Sequence, residues 1–250
     1  MTSITVESLH DCLGRSATPL ILDVRRRQAF AADDRMLPTA TWRDIAEIAT
    51  WSDAIPRNED VVVYCVHGQN VSQMAASVLA ARGIRARFLA GGIDAWQAAG
   101  APTMLRSALP DRHETTPSRW ITRVRPKIDR IACPWLIRRF IDARAELHFV
   151  EPRYVLDVAR ELPAIPYDVE GGTFTHQGEL CTFDTLLAHF GIVDPALDAM
   201  ALVIRGADTH RFDLAPEAAG LLAISLGISV TADADDRMAL ALGFPVYDAL

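Results

Sequence analysis

The sequence predicts an α/β domain over residues 1–104, a mostly parallel sheet covered by helices, and then a helix-rich α+β domain over 119–250. Three observations carry the prediction. Short β-branched runs alternate with helix-compatible segments in the first part, the pattern of a parallel sheet. A polar stretch punctuated by Pro110 and Pro117 forms a linker over 105–118. Beyond it, apolar residues recur mostly at helical spacing.

In chain order, Leu20-Ile21-Leu22-Asp23-Val24 reads as a buried strand, 61–64 as a second and 86–89 as a third, with helices over 44–50 and 71–82 between them. Gly91-Gly92 marks a turn, and a helix over 93–99 is stopped by Gly100 and Pro102. In the second half a helix is expected over 128–143, kinked or started by Pro134, followed by strands over 147–150 and 165–169. Helices are expected at 183–190, 195–205, 216–226 and 235–242; Asp194-Pro195 and Ala215-Pro216 place proline in a first turn.

Half of the 250 residues are apolar and 23% are charged, enough to build packed cores rather than a disordered chain. The net charge of −7 argues against broad nucleic-acid binding, and Lys127 is the only lysine. Cys12, Cys65, Cys133 and Cys181 lie far apart, against a disulfide framework or a four-cysteine zinc site. The first residues lack a secretory leader pattern, and no apolar run reaches the roughly 18 residues of a bilayer span. These features lead us to expect a cytoplasmic protein without a membrane partner.

One stretch carries chemistry. Val61-Val62-Val63-Tyr64 leads into Cys65, then a short loop with Gly68, then a helix. Loop amides and a helix N-terminus aimed at a sulfur favour its negative form. Such placement takes a thiol pKa from about 8.5 to roughly 3.5–7.5, which makes Cys65 a nucleophile at neutral pH. The competing reading, a buried structural cysteine, is the one expected for Cys12, Cys133 and Cys181.

Three ordered signatures in the first domain resemble the rhodanese (sulfurtransferase) family: Asp23-Val24-Arg25, the loop from Cys65 to Ser72, and Gly91-Gly92-Ile93-Asp94-Ala95-Trp96 with Gly100 and Pro102. The resemblance implies ping-pong sulfur transfer through a Cys65 persulfide, from thiosulfate or a persulfide to a thiol acceptor, with no cofactor. It assigns donor binding to His67, Gly68, Gln69, Asn70, Val71 and Ser72. Many such loops end near an arginine that grips a dianion; here Asn70 and Val71 stand there, which favours a persulfide over thiosulfate. The same absence argues against the related phosphatases, whose loop needs arginine at position 71. The family's acidic residue and Gly-His pair after the first strand are also missing, replaced by Ala29 and Arg35-Met36-Leu37.

The second half resembles the C-terminal domain of chromate-resistance proteins, a module shared with chromate-sensing regulators. The matching residues are Trp120-Ile121-Thr122-Arg123, Arg125-Pro126-Lys127-Ile128-Asp129-Arg130, Cys133-Pro134-Trp135-Leu136, Thr175-His176, Cys181-Thr182-Phe183, Arg205-Gly206-Ala207-Asp208 and Tyr247-Asp248. The resemblance implies a link to chromate but carries no reaction. Arg123, Arg125, Lys127 and Arg130 are candidates for binding a tetrahedral oxyanion; a salt-bridged face and nucleic acid are the alternatives. His176, Cys181, Asp208 and His210 are the candidate ligands of a transition metal, although neither spacing is a recognised zinc signature. Besides the sulfurtransferase, the sequence admits a chromate- or sulfur-responsive regulator and a catalytically silent binding module.

Overall fold

A computed structural model describes residues 2–109 and 116–250; Pro110, Asp111, Arg112, His113 and Glu114 of the expected linker lie outside the described residues. The chain divides into two units, Met1–Thr116 with Arg139–Ile141, and Pro117–Arg138 with Asp142–Leu250.

The strands of the first unit are β1 (Ser3–Ile4), β2 (Leu20–Asp23), β3 (Arg35–Met36), β4 (Thr41–Trp42), β5 (Asp60–Tyr64), β6 (Arg85–Leu89) and β7 (Met104–Leu105). Its helices are α1 (Val6–His10), α2 (Arg27–Ala32), α3 (Ile48–Trp51), α4 (Asn70–Ala81) and α5 (Gly92–Ala98). Five strands form one sheet in the order β1-β6-β5-β2-β4, and every pairing is parallel. A central parallel strand is covered on both faces, so β5 is a run of valines rather than an alternation; Val61, Val62 and Val63 are all buried. The small side chains of Ala75 and Ala76, with Leu79, bring α4 close against Leu22, Val61, Val63 and Ala86.

At the carboxyl ends of β2 and β5 lies a buried ion pair. Arg25 sends Nε and Nη2 to Asp23 Oδ2 at 2.9 and 2.7 Å, Nη1 to Asp33 at 2.9 Å and Nη2 also to the Arg35 carbonyl at 2.9 Å. Tyr64 donates its hydroxyl to the same Asp23 oxygen at 2.9 Å. This network anchors the residue immediately before Cys65.

The expected linker begins inside the first unit. β7 pairs antiparallel with β3, and in the turn that follows, the Ser107 amide and hydroxyl both donate to the Asp34 carboxylate. A two-residue strand held by one carboxylate leaves no periodicity to read.

The second unit contains β8 (Arg119–Arg123), β9 (Glu146–Val150) and β10 (Ile165–Pro166), a parallel sheet in the order β10-β8-β9. Its helices are α6 (Asp129–Leu136), α7 (Val155–Glu161), α8 (Thr182–Phe190), α9 (Pro195–Asp208), α10 (Ala218–Ala232) and α11 (Asp236–Ala249). Val155 and Ala159 of α7 pack on Ile121 of β8. Trp120 sits among the rings of Tyr167, Phe174 and Phe190. α10 packs against α9 and α11, while α11 and α8 pack against α6. The strand expected over 165–169 stops at Pro166, because Asp168 turns the backbone into the left-handed region at φ 47°. Among the described residues no helix is long and apolar enough to cross a membrane.

Candidate functional site

Cys65 follows β5, the middle strand of the five, at the carboxyl edge where ligands of open parallel sheets bind. The residue is only 6% exposed. Its Sγ lies 3.2 Å from Ser72 Oγ and 3.8 Å from the Gln69 carbonyl. Ser72 is the third residue of α4, so the amino end of that helix abuts the sulfur. No side chain caps this end, and the first amides of a helix have no partner within it. Among the described residues no loop amide donates to Sγ itself. The expected cradle is therefore an unfilled helix end beside a resting thiol, an arrangement that gains energy when the sulfur, or a donor anion, is negative.

The loop is clamped by the helix that follows β6. Ile93 and Asp94 amides donate to the Cys65 and Val66 carbonyls at 3.0 and 3.1 Å. In a trans peptide the amide opposes its carbonyl, so the Val66 and His67 N–H groups point away from α5. The clamp needs two glycines. A Cβ on Gly68 would lie 2.4 Å from the Leu89 carbonyl oxygen, and one on Gly92 would lie 2.4 Å from both the Cys65 and Val66 carbonyl oxygens. Both glycines also have positive φ, 64° and 62°. Gly92→Ala is expected to destabilise the first unit by about 3 kcal/mol, strain and overpacking together, read as a lower midpoint in urea.

The remaining loop residues divide by exposure. His67 Nδ1 and Asp94 Oδ2 are 2.7 Å apart at the surface, a pairing that orients the imidazole above the loop. Gln69 and Asn70 are exposed, whereas Val71, the second residue of α4, is half-buried against the core. No cation stands at the loop end, because the position at which one would matter is spent on packing.

In the second unit, Asp129, His176 and Asp208 converge, with one ligand atom from each within 4.8 Å of the others. His176 Nε2 lies 3.3 Å from Asp208 Oδ2, 3.5 Å from Asp168 Oδ1 and 3.6 Å from Asp129 Oδ2. Asp129 is fully buried and accepts the Thr182 and Phe183 amides at 2.8 and 3.1 Å, serving as the anion at the start of α8. Asp168 Oδ2 is gripped by Arg123 Nη2 at 2.9 Å and Arg130 Nε at 3.2 Å. The His176 imidazole is held above its ordinary value, chiefly by Asp129 and further by Asp208 and Asp168. Burial raises the carboxyl of Asp168, with the charge of Asp129 adding to it. The Asp208 carboxyl is pushed up to about 6 by burial and then by Asp129 and Asp168.

Comparison with known proteins finds a family for each half of the chain. The family model described as the ChrB C-terminal domain matches residues 120–250, just over half of the chain. The chain belongs to the ChrB C-terminal domain family. A rhodanese-like domain model matches residues 5–99 of this ChrB-family chain. Protein ChrB of Cupriavidus metallidurans is 36% identical over 163 residues, 63% of this chain and 48% of that protein, so the chain spans about half the length of its curated relative. Solved structures similar to it include a rhodanese-related protein from Thermoplasma volcanium (24% identity, 41% of this chain and 97% of that one, TM-score 0.37). A rhodanese-like domain protein from Staphylococcus aureus has 29% identity over 38% of this chain and 91% of that one, TM-score 0.35. Thiosulfate sulfurtransferase from Pseudomonas aeruginosa has 27% identity over 41% of this chain and 19% of that one, TM-score 0.34.

Within the ChrB-family half, the structure brings together only part of each expected set. Of the four candidate metal ligands, His176 and Asp208 meet. Cys181 instead caps α8, its buried Sγ 3.2 Å from Asp184 and its thiol held well above the ordinary value by burial and the charge of Asp129. His210 has φ 59° and lies edge-on to the Phe212 ring, outside the group. Of the four candidate oxyanion residues, Arg123 and Arg130 converge on Asp168. Arg125 is exposed with φ 58°, its amide donating to Asp236, and Lys127 is half-buried in the same turn. Asp129 and Asp168 were not anticipated; within the sequence Asp129 reads only as a charge relieving a basic run.

A pH dependence follows from Asp208. Its folded pKa of about 6 exceeds the ordinary 3.8, so the folded state is penalised where the carboxyl ionises. The penalty is absent below about pH 4 and complete above about 6, at most about 3 kcal/mol. In chelator, Asp208→Asn is expected to be more stable than wild type at pH 7. That advantage should shrink as pH falls to 4, measured by denaturation midpoints.

Proposed function

We propose that the chain is a sulfurtransferase that moves sulfane sulfur through a Cys65 persulfide, with the second unit serving resistance to chromate or a similar thiol-reactive oxyanion. The observation that carries the reading is the contact of Cys65 Sγ with Ser72 Oγ at 3.2 Å, which sets the sulfur against the uncapped amino end of α4. The Cys65 thiolate attacks the outer sulfur of a persulfide. A new S–S bond forms at Cys65 while the donor's own S–S bond breaks, and the donor leaves as a thiolate. A thiol acceptor, attacking as its thiolate, takes the outer sulfur and returns Cys65 to its starting form. The negative charge, carried by the outer sulfur of the persulfide, is what an unfilled helix end stabilises.

With no cation near Asn70 and Val71, a monoanionic persulfide suits the loop better than thiosulfate. The detoxification reading of the second unit is supported by the ChrB-domain match and by the paired guanidinium groups of Arg123 and Arg130; Arg123 Nε is buried with no hydrogen-bond partner among the described residues. The purified chain, incubated with a persulfide donor, should gain one sulfur atom by intact mass and lose it to a thiol acceptor. A chain that gains none, or keeps it in the presence of acceptor, refutes the reading.

A further inference from the structure

We propose that Asp129, His176 and Asp208 bind a divalent first-row transition metal ion, such as Mn2+, Fe2+ or Zn2+, in the second unit. The spacing is that of a ligand cage rather than a hydrogen-bond network. His176 Nε2 faces three carboxylate oxygens at 3.3, 3.5 and 3.6 Å, all longer than a normal N–H···O bond. One N–H can serve only one of them. Two ligands on a tetrahedral ion at about 2.1 Å stand roughly 3.4 Å apart, so the separations fit an ion seated between the atoms.

A second feature points the same way. The Tyr167 hydroxyl is fully buried with no hydrogen-bond partner among the described residues, and it is electrostatically coupled to Cys133, Asp168, Arg130 and Asp129, the wall of the same group. A buried hydroxyl left open within electrostatic reach of Asp129 and Asp168 is suited to hold a ligand-bound water or to orient a ligand oxygen.

The parts have distinct roles. Asp129 is fixed in advance by two α8 amides and the Cys133 thiol, so little ordering remains to be done when an ion arrives. Asp168 is already balanced by Arg123 and Arg130 and supports the cage from outside. Asp129 and Asp208 then face His176 Nε2 at 3.6 and 3.3 Å, and an ion would take the place of the imidazole proton between them. The His176 side chain is 38% exposed and gives the ion its way in. One imidazole with carboxylates suits borderline ions and disfavours soft ones such as Cu(I).

The test uses the full chain, stripped with chelator and titrated separately with Mn2+ and Zn2+ by calorimetry. One ion per chain is expected. His176→Ala and Asp208→Asn should each weaken binding more than about 10-fold, a loss reached even when residues that merely hold ligands are removed. Cys181→Ser and His210→Ala should bind like wild type. Circular dichroism establishes that the variants are folded; His176 is exposed enough for its loss to leave the core intact. No saturable binding by wild type, or equal binding by folded His176→Ala, overturns the proposal and leaves a protonated imidazole as the sole occupant. Sulfur loading of Cys65 in the stripped chain should be unchanged, so failure here is separable from failure of the sulfurtransferase reading.

Discussion

Cys65→Ser is expected to bring sulfur loading and turnover down to background while leaving the fold intact. A hydroxyl replaces the thiol in nearly the same volume and keeps the bond to Ser72 Oγ, so stability should change by less than about 1 kcal/mol. The chemistry has no such substitute. The partners of Sγ are Ser72 and the Gln69 carbonyl, neither of which can take a proton from serine, and the His67 Nδ1 is engaged by Asp94. Loss of a nucleophile costs several powers of ten, roughly 10⁶ in the best-measured protease. Two of the other three cysteines are poorly placed to compensate. Cys133 and Cys181 are buried, and both thiols are held far above their ordinary values by burial. Intact mass and acceptor turnover give the readout. Undiminished loading of the variant would move the chemistry to another residue.

Arg25→Ala is expected to cost the first unit about 3–5 kcal/mol, the loss when one partner of a buried ion pair is deleted. Arg25 is 1% exposed and Asp23 is not exposed at all. The variant leaves the Asp23 carboxylate with Tyr64 and a backbone amide as its remaining partners. Against a typical domain stability of roughly 5–15 kcal/mol, that loss brings the unit near unfolding. Burial already raises the Asp23 carboxyl, and the charge of Arg25 opposes the rise. Without arginine the folded state holds the proton more tightly, so the deficit should grow as pH rises above the ordinary carboxylate range. Urea midpoints at pH 5 and pH 8 check it; a loss under about 1 kcal/mol would mean the pair is dispensable, and a loss independent of pH would mean that Asp23 ionisation does not set it.

The Cys65 loop was legible because its own segment is local: a valine strand, a glycine able to turn left-handed, and a helix start within eight residues. Gly92 was legible as a signature, but its reason, the carbonyls of Cys65 and Val66, is visible only in three dimensions. The two-residue strands β1, β3, β4 and β7 carry no period to detect. β8 was hidden by the arginines at its ends, which drew attention as charge rather than as the rim of a strand whose Trp120, Ile121 and Thr122 are buried. In the second site, closeness along the chain misled. Cys181 and His210 are near His176 and Asp208 in sequence, yet the group that converges is Asp129, His176 and Asp208, whose meeting depends on how α6, α8 and α9 pack.

The pairing of β1 with β6, Ser3 opposite Phe88, has a consequence for how the protein is made. β1 cannot find its partner until synthesis has run on through residue 89, an interval of roughly 4–17 seconds at about 5–20 residues per second. β5 likewise emerges with β2 already available but with the edge that β6 will cover still bare. During that interval the loop after Cys65 has no clamp, because the Ile93 and Asp94 amides that hold its carbonyls are still to be made.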